Sequence, residues 1–159
     1  MANKNEPAAR LFTIEQANAM LPLVRAITAD LTTLARDVVE RRERLASFAR
    51  RKPTAPSDPY AEELASMQQA VADDSERLQE YIEELRRLGL EPKGALEGLV
   101  DFPSIIDGKL VYLCWKLGES EVTHWHDLEA GFAGRQSLVA GVSAGDDAGS
   151  FDSPAGEHD

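Results

Sequence analysis

The chain of 159 residues has a single cysteine, Cys114, so no internal disulfide can close and no cysteine-rich zinc site can form. Stability has to come from packing. Long apolar runs are missing as well: none approaches the roughly 18 residues that cross a bilayer. Met1 to Arg10 lacks the charged, then apolar, then small-residue order of a secretion signal, which predicts a cytoplasmic protein. Cations are in short supply. Against 28 Asp and Glu stand 17 Lys and Arg, and the net charge of -11 works against phosphate backbones and anionic membranes as partners. Neither nucleic acid nor a membrane is expected.

What is present points to one domain with a helical scaffold, since 43% hydrophobic residues can supply a core at this length. Phe12-Thr13-Ile14-Glu15-Gln16-Ala17 reads as a helix start, with Thr13 and Gln16 able to satisfy each other's backbone N–H groups in a capping box. Apolar residues then recur every seven, the spacing of a coiled coil, through Ala17, Val24, Leu31, Val38 and Leu45. Pro22 removes one backbone donor early in this stripe, which predicts either a kink near Ala19 to Leu21 or a short helix followed by a new one. After Arg50-Arg51-Lys52 the run Pro53-Thr54-Ala55-Pro56 makes a turn. Ser57-Asp58-Pro59 opens a second helix with Asp58 as cap and Pro59 in the first turn. Leu64, Val71, Leu78 and Leu85 line that helix, and Gly89 is the expected left-handed stop.

The short connection folds the two helices into an antiparallel hairpin. Thr13 to Lys52 holds eight basic and five acidic residues and Ser57 to Leu88 holds three basic and nine acidic, so the arms carry opposite charge. Such surface charge sets orientation more than stability, at about 0 to 1 kcal/mol per pair. A lone hairpin leaves much of its apolar stripe in water. The remedy is either dimerisation into a four-helix bundle or coverage by the C-terminal segment, and a homodimer through the hairpin is the expectation favoured.

From Glu91 onward glycines and alternating apolar residues predict strands. Asp107-Gly108 is a two-residue hairpin signal before Lys109 to Lys116, and Gly118-Glu119 offers a turn into Glu121 to His126. The fold class is thus mainly α with a small antiparallel β-meander of two or three strands (α+β). Expected boundaries are a flexible start at 1–11, one domain at 12–138 (hairpin 13–89, β-rich region 94–138), and a disordered Gly-, Ser-, Ala- and Asp-rich tail at 139–159.

A turn centred on Gly118-Glu119 pairs Trp115 with Val122, Leu113 with His124 and Val111 with His126. Both histidines then share one face, with Cys114 and Tyr112 on the other. In that register His126 and His124 could share a divalent metal with Asp127, Asp101 or Glu129, while Cys114 could not join them. Two histidines with no third ligand set by spacing are a thin metal signal, and no cofactor is expected. Cys114, flanked by Leu113 and Trp115, reads as a small buried hydrophobe rather than a nucleophile, and the two tryptophans as core at the junction of sheet and helices. Arg135 reads as a structural ion-pair partner before an anion site, and Gly131-x-x-Gly134 lacks the strand and helix context of a phosphate loop. Arg41-Arg42-x-Arg44 is interrupted by Glu43 and reads as a solvated helix face.

Several blocks in order resemble a known family: Phe12-Thr13-x-Glu15-x-Ala17-Asn18, Gly98-Leu99-Val100-Asp101-Phe102-Pro103, Val111-Tyr112-Leu113-Cys114-Trp115-x-x-Gly118-Glu119, Trp125-His126 and Gly131-Phe132-x-Gly134-Arg135. Over roughly residues 12 to 138 the chain is similar to the bacterial family catalogued as domain of unknown function 2203. That resemblance implies no activity, substrate or cofactor, but it gathers the motif blocks on Asp101, Cys114, Glu119, His126 and Arg135 and leaves His124 outside them. The resulting expectation is a non-enzymatic helical-hairpin protein for oligomerisation or partner binding. Its alternative is a small metal- or anion-binding enzyme using His126 with a nearby carboxylate, Asp101, Asp127 or Glu129, and Arg135 as the anion clamp, the candidate catalytic residues being His126, Asp101, Glu119 and Arg135.

Overall fold

The computed structural model describes residues 10–50 and 58–138. The expected tail, the connecting turn and most of the N-terminal segment lie outside them. Helix α1 spans Ile14–Phe48 and α2 spans Pro59–Arg87. At 1.5 Å per residue these are arms of about 52 and 44 Å. Each begins where the side chains dictate. Thr13 Oγ1 accepts from the Gln16 N–H at 3.1 Å while Gln16 Oε1 accepts from the Thr13 N–H at 3.0 Å, and Asp58 Oδ1 accepts from the Tyr60 N–H at 2.9 Å. Pro22 does not divide α1, which runs through it as one helix. Pro22 stands in the third turn, past the first closed backbone bond from the Ala17 N–H to the Thr13 carbonyl, so it removes the interior bond to the Asn18 carbonyl, and the helix continues through it.

Helix α2 stops as its glycine requires. Gly89 takes φ +94°, its N–H donates to the Arg86 carbonyl at 2.9 Å, and the Leu90 N–H donates to the Leu85 carbonyl at 3.1 Å. This is a Schellman closure, and the buried Leu85 and Leu90 supply the apolar contact that accompanies it.

Five strands follow as an antiparallel meander: β1 Glu91–Gly94, β2 Leu99–Ile106, β3 Lys109–Lys116, β4 His124–Asp127 and β5 Gln136–Ser137. The sheet therefore has more strands than the two or three expected. Short β1 and β5 lack alternating apolar residues, and Pro103 interrupts the strand signal of β2. Proline is tolerated there because β1 pairs only as far as Asp101, and the Pro103 carbonyl instead accepts from the Phe12 N–H at 2.8 Å. Asp107 and Gly108, both at positive φ, join β2 to β3 in the anticipated two-residue turn.

One sheet face, with Val100, Phe102, Val111, Leu113, Trp115 and Trp125, closes over Ala17, Leu21, Val24, Ile27 and Leu31 of α1. The chain's own sheet thus covers the proximal part of the helical stripe, the alternative ranked second from the sequence. Gly98, at φ +76°, lets the β1–β2 turn approach: a Cβ there would lie 2.6 Å from Leu117 Cβ and 3.3 Å from Thr32 Oγ1. Thr32 Oγ1 in turn donates to the Ala95 carbonyl at 2.9 Å. Toward the far end of the hairpin the burial thins, and in α2 only Tyr60, Asp74 and Leu85 are buried. Asp74 is held there by Arg41 from α1 and by Arg77, 3.4 Å away. Among the described residues no helix is long and apolar enough to cross a membrane.

The β3–β4 register corrects the expectation. Cys114 pairs with His124, Leu113 with Trp125, Tyr112 with His126 and Val111 with Asp127. This differs by one residue from a turn centred on Gly118-Glu119, and a one-residue slip moves every side chain to the other face. A tertiary contact accompanies it. The Val122 N–H donates to Asn18 Oδ1 of α1 at 2.7 Å and Val122 is buried, so residues before His124 follow the helix instead of pairing with Trp115.

Candidate functional site

In the observed register the two histidines share a sheet face with Cys114 and Tyr112, the face turned away from the helices. Asp101 joins them because it pairs with Cys114 across β2 and β3. The exclusion of Cys114 from this group is therefore reversed. Asp101, Cys114 and His126 are each at most 2% exposed, and one side-chain N, O or S atom from each lies within 4.8 Å of the others. His126 Nε2 and Asp101 Oδ2 are 3.1 Å apart, reaching across β3.

The other imidazole nitrogen defines the tautomer. His126 Nδ1 lies 2.7 Å from the Asp127 carbonyl oxygen, which can only accept, so Nδ1 carries a proton. A hydrogen bond on the Nε2–Oδ2 line then needs a second proton, on the nitrogen or on the carboxyl. Burial raises the Asp101 pKa above its usual 3.8, against the opposing charges of His126 and Lys93. Burial, aided by the neighbouring Asp101 charge, pushes the Cys114 thiol up to about 12. A thiol so held is a poor nucleophile. The Tyr112 ring leans on His126 with centroids 5.5 Å apart, and Lys93 Nζ sits 5.1 Å from the Tyr112 ring.

Beside this cluster Glu119 and Arg135 form a second unit. Arg135 Nη1 donates to Glu119 Oε2 at 2.9 Å and Nη2 to Oε1 at 3.0 Å, while Oε1 also accepts from the Lys116 N–H at 3.0 Å. Nη2 also donates to the Cys114 carbonyl at 3.3 Å, and the guanidinium carbon stands 4.6 Å from the centre of the Phe132 ring. Burial would raise the Glu119 pKa. The Arg135 hydrogen bonds, the Lys116 N–H and the Arg135 charge outweigh it and hold the carboxyl below its usual 4.5. The Glu119 backbone carbonyl accepts from Trp115 Nε1 at 3.0 Å, so this one residue organises the turn after β3 with both main chain and side chain.

The remaining candidates lie apart from the cluster. His124 Nδ1 is 2.9 Å from Thr123 Oγ1, and burial, then the charge of Arg135, lowers its pKa below 6.5. Asp127 offers His126 its backbone carbonyl, while its carboxylate Oδ1 stands 3.4 Å from Lys109 Nζ. His126 thus meets Asp101 instead of the Asp127 carboxylate. Sequence reasoning missed the membership of Cys114, although the motif blocks that bracket Asp101, Cys114 and His126 carried the signal.

A family model described as an uncharacterized conserved protein, DUF2203, matches residues 10–138. No curated protein and no solved structure matches the chain significantly.

Proposed function

The chain belongs to the DUF2203 family, which brings no reaction with it, and from the structure we propose that it is a non-enzymatic binding scaffold that pairs with a second copy along its helical arms. The carrying observation is the unfinished layer at the far end of the hairpin. No residue of α1 beyond Val38 is buried, Val39 is 40% exposed, and Leu45, Phe48, Leu64, Met67 and Val71 are only half-buried. Two helices without a third layer leave apolar surface that association would cover.

Charge favours a second copy as the occupant. Arg36, Arg41, Arg42 and Arg44 lie on α1, and Asp73, Glu76, Glu80 and Glu83 on α2. A two-fold arrangement sets the basic arm of one copy against the acidic arm of the other, twice. The enzymatic alternative has less support, since Arg135 already donates to Glu119 and to the Cys114 carbonyl. The buried free thiol of Cys114 fits a reducing cytoplasm.

Light scattering on the full chain at micromolar concentration tests this reading. A mass of twice 17.4 kDa is expected, and Val71→Asp should return it to 17.4 kDa with helicity retained. A monomeric wild type overturns the proposal.

A further inference from the structure

We propose that Asp101, Cys114 and His126 bind one divalent transition metal ion of the zinc class on the outer face of the sheet. This goes beyond the scaffold reading and rests on different residues. The three atoms that meet there are a carboxylate oxygen, a sulfur and an imidazole nitrogen, the mixed donor set that borderline metals prefer and that magnesium and calcium do not.

Geometry favours the assignment. With metal–ligand bonds of about 2.0 Å to nitrogen or oxygen and 2.3 Å to sulfur, neighbouring donors of a tetrahedral site stand roughly 3.3 to 3.6 Å apart. His126 Nε2 and Asp101 Oδ2 are already 3.1 Å apart, and all three donors lie within 4.8 Å, so no separation has to shorten by more than about 1.5 Å. The outer shell is present as well. A metal-ligating histidine commonly donates its other ring N–H to a carbonyl or carboxylate, and Nδ1 of His126 does so to the Asp127 carbonyl at 2.7 Å, which leaves Nε2 as the ligating atom. The Asp127 side chain plays no part.

The ligands come from three adjacent strands, Asp101 from β2, Cys114 from β3 and His126 from β4, so the strand pairing holds their relative positions. Coordination takes Asp101 as carboxylate, Cys114 as thiolate and His126 through the Nε2 lone pair. The displaced protons pass to solvent as the ion enters. Three protein ligands leave the fourth tetrahedral position to water or a small ligand atom.

The single cysteine makes the test specific. Full-length protein, reduced, treated with chelator and titrated with cobalt(II), should develop a near-ultraviolet thiolate-to-cobalt charge-transfer band that saturates at one equivalent, and only Cys114 can supply the thiolate. Zinc should bleach that band by displacing cobalt. Asp101→Asn and His126→Asn should each weaken cobalt binding by more than the roughly 10- to 100-fold typical of outer-shell changes. Cys114→Ser should abolish the band with the circular dichroism spectrum retained. If Cys114→Ser does not fold, the wild-type titration still decides. Absence of the band with the thiol shown to be free and reduced overturns the proposal, and so does a band indifferent to both Asp101→Asn and His126→Asn. The mass from light scattering is independent of either result.

Discussion

Across the middle strand of the sheet, His126 Nε2 meets Asp101 Oδ2 at 3.1 Å, with both side chains buried. Removing one partner leaves the other with an unmet polar group in a dry place, which costs more than the hydrogen bond itself contributed. Asp101→Ala should therefore lower the free energy of unfolding by about 2 to 4 kcal/mol. Asp101→Asn, which can still donate or accept at that position, should cost less than half as much. Urea unfolding of the metal-free variants checks the order, and equal losses would count against the Asp101–His126 bond as the cause.

Glu119 gives a pH dependence with a definite sign. Its carboxyl is held below 4.5 in the folded chain, so its contribution to stability is complete above the unfolded value and is lost as pH falls through the folded one. Wild type should be more stable than Glu119→Gln at neutral pH, and the gap should close only below pH 4.5. Paired urea midpoints across that window measure it. A gap that persists unchanged to lower pH would assign the stabilisation to the shape of the side chain instead of its charge.

Leu31 and Leu64 occupy equivalent positions on the two apolar stripes, yet only Leu31 lies under the sheet, at 1% exposure. Leu31→Ala should cost about 2 to 5 kcal/mol and Leu64→Ala about 1 kcal/mol or less, because truncation opens a cavity only where neighbours enclose the side chain. Urea denaturation in the Val71→Asp background, where no second copy covers Leu64, separates the two.

Gly89→Ala tests backbone strain. At φ +94° an added Cβ would meet Arg10, with Cδ at 3.0 Å and Cβ at 3.2 Å, so that side chain has to give by a few tenths of an ångström in addition to the backbone strain. The left-handed conformation itself should cost about 1 to 2 kcal/mol. Thermal unfolding should show that loss, with helical content unchanged below the transition.

Much of the scaffold was legible from residue order because its determinants are local. Thr13 with Gln16, Asp58 with Pro59, and Gly89 each act within one helical turn, and Asp107-Gly108 acts within one hairpin. The strands around the site were less legible. Four-residue β1 and two-residue β5 have no period to read, and β2 hides its pattern by carrying Asp101 and Ser104 in buried places. Their polar atoms are met by partners distant in sequence: His126 for Asp101, and the Phe12 carbonyl, 2.5 Å away, for Ser104.

Sequence by itself determined the two helices, their caps and stop, and the presence of antiparallel strands after them, since these follow from spacing and from side chains that bond to their own backbone. Only the tertiary structure decided which face Cys114 shares. The loop before β4 is held by Asn18 of α1, a residue more than a hundred positions away, and that single hydrogen bond to Val122 accompanies the one-residue difference in register that sets Cys114 beside Asp101 and His126. Alternation along a strand tells which residues lie together on a face, but the register between strands depends on what the connecting loop packs against.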